Sequence, residues 1–158
     1  MLEPDHPPTV AGWREWVSLP KAKVRWIKAK LDTGAKSSAI HAFDIEPFER
    51  GGAEWVRFAI HPWQRRDDEA IVVTSPILDR RIVRSSSGHE EERIAVPMVV
   101  RLVGRRMTVE MTLSKRDEMG FRMLLGREAL SQGFLIDPAQ SYAGPRPRRA
   151  TRQRNWGR

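Results

Sequence analysis

Asp32, Thr33 and Gly34 put a carboxylate, a hydroxyl and a residue with no side chain on three successive positions. A carboxylate can take a proton from water, or hold one for a carbonyl oxygen, when a second acid stands close enough to share it. The tripeptide also has a plainer reading as a turn, because Asp and Gly favour tight turns whatever their chemistry. Its context separates the two. Ile27, Ala29 and Leu31 form the apolar face of a period-two run that ends at Asp32. The carboxylate is therefore expected at the edge of a core, not on a solvated face. Ala35 continues the turn with little bulk. The chain contains one Asp-Thr-Gly, so a pair of such carboxylates requires two chains.

Other chemistries find less support. With no cysteine there is no thiol nucleophile, thiolate metal site or disulfide. The four histidines, His6, His41, His61 and His89, are scattered, with no His-Glu-x-x-His spacing. No Gly-x-x-x-x-Gly-Lys or Gly-x-Gly-x-x-Gly cradle for phosphates is present. Neither a metal nor another cofactor is expected.

The elements that must position Asp32 read as short strands. Trp13–Leu19 and Val24–Leu31 are joined at Pro20-Lys21, and Ser38–Ala42 follows the Asp-Thr-Gly turn. Asp44–Gly52, with Pro47, Gly51 and Gly52, reads as a loop. Glu54–His61 is a strand, Pro62–Glu69 an exposed connection, and Ala70–Thr74 a strand stopped by Pro76. Arg80–Val83 and Arg93–Val96 flank a polar Ser/Gly/Glu cluster and predict a projecting hairpin. Val99–Val103 and Met107–Leu113 are joined at Gly104-Arg105, and Asp117–Gly120 is a turn. Met123–Leu125 is apolar, Arg127–Gln132 is helical up to Gly133, and Phe134–Ile136 is a last strand. This pattern predicts an all-β barrel or sandwich with one short helix.

At 158 residues the chain is sized for one domain with a real core. No run approaches the length of a membrane span. The acidic, proline-rich start lacks the basic and apolar regions of a secretory signal, which makes the cytoplasm the default expectation. The net charge of +8 is concentrated: Gly144–Arg158 carries six arginines and no acid, leaving +2 for residues 1–143. Residues 1–11 read as a loose arm, 12–143 as the folded domain and 144–158 as a disordered Arg-rich tail. Of the six tryptophans, Trp13, Trp16, Trp26 and Trp55 have strand spacing and read as core or interface residues. Trp156 lies in the tail, which offers a weak contact to RNA.

Leu31-Asp32-Thr33-Gly34-Ala35, followed late in the chain by Leu124-Leu125-Gly126-Arg127 and Glu128-Ala129-Leu130, resembles the retropepsin-like aspartic peptidases. The likeness covers about Trp13–Asp137. Gly12-Trp13-Arg14-Glu15, Ile27–Ala35, His41-Ala42-Phe43 and Val83–Gly88 look like a small bacterial and archaeal subfamily within them. That subfamily is often labelled "ATP-dependent zinc protease", and its genes commonly accompany ATP-grasp glutamate ligases that modify a ribosomal protein. The resemblance implies a closed acid-protease β-barrel that is active as a homodimer on a peptide or protein substrate. It makes Asp32, Thr33 and Gly34 catalytic. It places Ala35 and the flap residues Ser86, Ser87 and Gly88 against substrate, and it suggests a glutamate ligase or ribosomal protein as partner. Zinc and ATP are not carried over with the label. Two departures stand out. The flap is polar, with Glu90, Glu91 and Glu92 at its exit. Lys36 occupies the place of the acid that usually pairs with Arg127. The other reading is a non-catalytic peptide-binding or regulatory module, because one Asp-Thr-Gly alone cannot form a dyad.

Overall fold

The computed structural model describes residues 7–63, 69–84, 87–115 and 120–153. Its elements in chain order are β1 (Thr9–Gly12), β2 (Arg14–Leu19), β3 (Val24–Leu31), β4 (Ser38–His41), β5 (Phe43–Arg50), β6 (Ala53–Ile60), β7 (Ile71–Pro76), β8 (Asp79–Arg84), β9 (Glu90–Leu102), β10 (Arg105–Ser114), β11 (Met123–Leu125), α1 (Arg127–Leu130), β12 (Phe134–Asp137) and α2 (Arg149–Gln153). The protein is mostly β, as the alternation of its sequence predicts. No helix among the described residues is long and apolar enough to cross a membrane.

Strand β3 lies at the centre of the largest sheet, whose order is β10-β4-β11-β3-β2-β9-β8. β9 also pairs with β10, so the succession of pairings returns to its first strand. The expected apolar face of β3 is buried: Ile27, Ala29 and Leu31 are at most 4% exposed. They join Ile40, Val100, Met111, Met123 and Leu125 in one core. A three-stranded sheet, β5-β6-β7, adds Val56, Phe58 and Ile60 to it. Burying side chains of this size contributes roughly 1.5–3 kcal/mol each before entropy is counted.

Four segments differ from their sequence reading. The loop expected over Asp44–Gly52 is strand β5 up to Arg50. β5 is an edge strand, and there Pro47 can lack an N–H without breaking a ladder on both sides. Gly51 and Gly52 do form the turn, with φ of 59° and 80°, values suited to the two-residue hairpin that joins β5 to β6. The runs Arg93–Val96 and Val99–Val103 form one strand, β9, that passes through Pro97. Between Ala95 and Arg101 this strand pairs with β10 alone.

Thr9–Gly12 of the expected loose arm form β1, which pairs in parallel with β12, and the Arg105 guanidinium donates to Thr9 Oγ1 and Gly133 O. The Arg-rich tail, read as disordered, contains the one-turn helix α2. Residues 1–6, the turn at 117–119, most of the 62–69 connection and the last residues of the tail, Trp156 among them, lie outside the described residues.

The tail is anchored through its backbone, which a composition argument does not see. Glu15 is fully buried, and its carboxylate accepts the N–H groups of Gly12 (2.7 Å), Ala143 (2.8 Å) and Gly144 (3.0 Å). Glu15→Ala leaves these three donors without an acceptor and should destabilise the fold by about 3–5 kcal/mol. Urea unfolding of the variant against the wild type measures this.

Candidate active site

Asp32 is held by what comes before it and by what arrives 93 positions later. Leu31 pairs with Leu125 of β11, and the Asp32 N–H donates to the Leu125 carbonyl at 2.9 Å. The Leu31 N–H donates to the Trp13 carbonyl on the other side. The chain then turns: the Ala35 N–H donates to Asp32 O (3.2 Å), and the Gly34 N–H donates to Asp32 Oδ1 (2.9 Å). The carboxylate is thus a turn device through one oxygen. Among the described residues nothing donates to the other, Oδ2, and the residue is half-buried. The two readings of Asp-Thr-Gly therefore do not exclude each other.

Residues 33–38 are stitched to the start of α1. The first N–H groups of a helix have no partner within it. Here the loop supplies the partners: the Arg127 N–H donates to Ala35 O (2.6 Å) and the Glu128 N–H to Lys36 O (3.1 Å). The Gly126 N–H donates to Ser38 Oγ at 2.9 Å, while Ser38 O accepts from Thr112 Oγ1 at 2.9 Å. The backbones pass so closely that a Cβ on Gly126 would collide with the carbonyl of Ser37 and lie 2.8 Å from Ala35 O. Glycine is required here for space, with no unusual backbone angle involved. Arg127 lacks the acid that Lys36 displaces, and its Nη1 donates to the carbonyl of Thr33 at 3.3 Å.

The structure therefore brings Asp32, Thr33, Gly34 and Ala35 together with the Leu124–Arg127 segment. Thr33 and Gly34 are exposed and Ala35 is half-buried. Ser38 and Thr112, both buried, escaped sequence reasoning. The only signal was Ser38 on the same strand face as the apolar Ile40; Thr112 shares its face of β10 with Thr108 and Glu110, where nothing sets it apart.

The polar hairpin exists as expected. β8 and β9 pair from Asp79↔Ala95 to Arg84↔Glu90, with Ser87 and Gly88 exposed at the tip and Gly88 at φ 85°. Ser86 lies outside the described residues. Ion pairs run along the hairpin: Arg84–Glu90 (2.8 Å), Arg80–Glu92 (3.4 Å), Arg80–Glu54 (3.3 Å) and Arg81–Glu110 (3.2 Å). Burial works against the charge on Arg81, but hydrogen bonds to Glu110 and Asp79 outweigh it and raise its pKa above the ordinary arginine value. Exposed pairs of this kind contribute about 0–1 kcal/mol each. They orient the hairpin more than they stabilise it.

The described residues do not fit a zinc ion. No group of three or more His, Asp or Glu side chains able to hold a metal occurs among the described residues. His61 stacks on Phe43 at 4.3 Å, and its ring lies 6.1 Å from that of His41.

Residues 10–147 match a family described as RimB-like, the retropepsin-like aspartic endopeptidase RimB. Among curated proteins, the chain is 44% identical over 133 residues to a probable alpha-L-glutamate ligase of Shewanella pealeana, covering 84% of this chain and 29% of that protein. It is 43% identical over 134 residues to one of Desulfotalea psychrophila, covering 85% and 29%. The chain thus spans less than a third of the length of these relatives. The fold is shared with the crystal structure of Lpg0085, a protein of unknown function from Legionella pneumophila. The TM-score is 0.72 at 24% identity, over 85% of this chain and 97% of that one.

Two substitutions test the stitching. Ser38→Ala should cost about 1–2 kcal/mol, the usual loss when a buried hydrogen-bond partner is removed. Gly126→Ala should cost more, because its Cβ has nowhere to go. Thermal unfolding ranks the two, and a smaller loss for Gly126→Ala would contradict the close approach.

Proposed function

Because the chain belongs to the RimB-like family of retropepsin-like aspartic endopeptidases, we propose that it is an aspartic endopeptidase, or a related peptide amide hydrolase, working as a homodimer. The observation that carries this is the Asp32 carboxylate. It stands at the end of a buried strand, with one oxygen fixed by Gly34 and the other outside that turn. Two such loops meeting on a two-fold axis would supply the pair of acids that one chain lacks. Like charges a few ångströms apart do not both ionise, so the pair holds one proton. The ionised member takes a proton from the attacking water, and the protonated member donates to the substrate carbonyl. The two titrations belong to the pair as a unit.

In this reading Thr33 braces the two loops against each other, and Gly34 lets the substrate backbone approach. The hairpin of β8 and β9 closes over the substrate and excludes water, with Ser87 and Gly88 at its tip. We read the returning succession of strand pairings as the closed barrel of such peptidases. An apolar face for a second copy is available where Val10 and Leu135, 46% and 56% exposed, lie opposite each other on β1 and β12. The relatives' names, probable alpha-L-glutamate ligases, support a working link between this chain and a glutamate ligase. The alternative is a peptide-binding or regulatory module beside such a ligase, for which a single Asp-Thr-Gly per chain suffices.

Asp32→Asn should abolish hydrolysis, by at least about a thousand-fold in kcat if the acid pair carries acid–base and positioning effects together. The fold and the dimer should be retained, as read by circular dichroism and sedimentation velocity. Residual turnover near wild-type rates would sink the mechanism. A wild-type protein that stays monomeric at assay concentration would favour the binding module.

A further inference from the structure

A trough of positive charge with no acidic partner among the described residues crosses the molecule at the far end of β3 from Asp32. Two clefts of about 720 and 380 Å³ meet there, and Arg25 and Trp26 line both of them. The larger is also lined by Lys23, Arg146 and Arg148, and the smaller by Arg101. The Trp26 ring, half-exposed, is therefore a shared wall with cations on either side.

Three features separate this trough from an ordinary solvated face. First, all five cations are exposed, and among the described residues none of them has an acidic partner. On the β8–β9 hairpin, by contrast, Arg80, Arg81 and Arg84 are all paired. Among the described residues the one acid lining the trough is Glu69, whose Oε2 accepts the Trp63 indole N–H at 2.9 Å. Second, Arg146 and Arg148 of the Arg-rich segment line the trough, so their charges are presented together with those of β3. Third, Trp26 touches Trp16 edge-on at 6.5 Å, a contact that leaves a ring face for another planar group.

We propose that this trough binds single-stranded nucleic acid, with a base stacked on Trp26 and phosphates held by Lys23, Arg25, Arg101, Arg146 and Arg148. Free cations alone suit any polyanion. The indole between them selects for unstacked bases, which present a flat face that a carboxylate chain lacks. Duplex bases are not available for such stacking. Trp26 lies about 20 Å along the strand from Asp32, at roughly 3.3 Å per residue. The trough is thus an anchoring surface apart from the Asp32 loop, and it does not rest on the peptidase reading.

Fluorescence anisotropy with a labelled 12-mer of oligo(U) RNA tests this. Binding should weaken with salt, with a log–log slope of about −3 for four to five released counterions. Trp26→Leu should weaken it about five-fold or more. Arg25→Glu combined with Arg148→Glu should weaken it more than ten-fold and flatten the slope. Both arginines are exposed, so this variant keeps the fold. Ultraviolet cross-linking of oligo(U) to the wild type, followed by peptide mapping, should place adducts in peptides containing Trp26 or Arg146–Arg148. This readout holds even if Trp26→Leu does not fold. Asp32→Asn should bind RNA as the wild type does, which distinguishes failure here from failure of the hydrolase reading. Absence of binding at 100 µM in low salt would overturn the proposal. So would equal binding of a 12-bp duplex, cross-links elsewhere, or an octaglutamate peptide bound as tightly and with no effect of Trp26→Leu.

Discussion

The contact on which the site depends is the close approach of two backbones, Ala35–Ser38 and Gly126–Glu128. A single added carbon on Gly126 would separate them. Their hydrogen bonds do two things at once. They satisfy N–H groups that the start of a one-turn helix cannot satisfy itself, and they fix the far side of the turn that holds Asp32. Helix α1 is too short to be stable on its own account. It persists because the loop caps it, and the loop keeps its shape because the helix is there. Arg127 shows how flexible this economy is in detail. A guanidinium can do with a backbone carbonyl what is otherwise done with an acid, and the loop stays closed.

Charge is distributed with a similar division of labour. Along the β8–β9 hairpin each mapped arginine faces a carboxylate, so the hairpin is polar yet nearly neutral in its field. The net positive charge of the chain is left to another part of the surface, beside the tail that Glu15 ties down. A buried carboxylate with three backbone donors is well solvated by the protein, which is why Glu15 can sit fully buried with no ion pair among the described residues.

Much of this was legible in the sequence, and the failures have a common cause. β3 and the turn after it were readable because period-two burial and Asp/Gly turn chemistry are local. The hairpins at Gly51-Gly52 and Gly104 were readable for the same reason. β5 was not, because whether Pro47 breaks a strand depends on whether that strand has one neighbour or two, and its neighbours are not written nearby. β1 was missed because its partner, β12, lies at the other end of the chain. Ser38 and Thr112 looked like ordinary strand residues. Their meaning lies in bonds that span 88 and 74 positions.

That spacing has a consequence in time. A chain made from its N-terminus presents Asp32 well before the carbonyl of Leu125, the amide of Gly126 and the guanidinium of Arg127, which follow 93 or more positions later. Parallel pairings across such distances are slow to form, because the loop they close must be ordered before the contact rewards it. The Asp32 turn therefore stays unbraced until β11 and α1 have been made. Whatever chemistry it performs is withheld until then, and a chain interrupted before β11 carries the carboxylate without the frame that aims it.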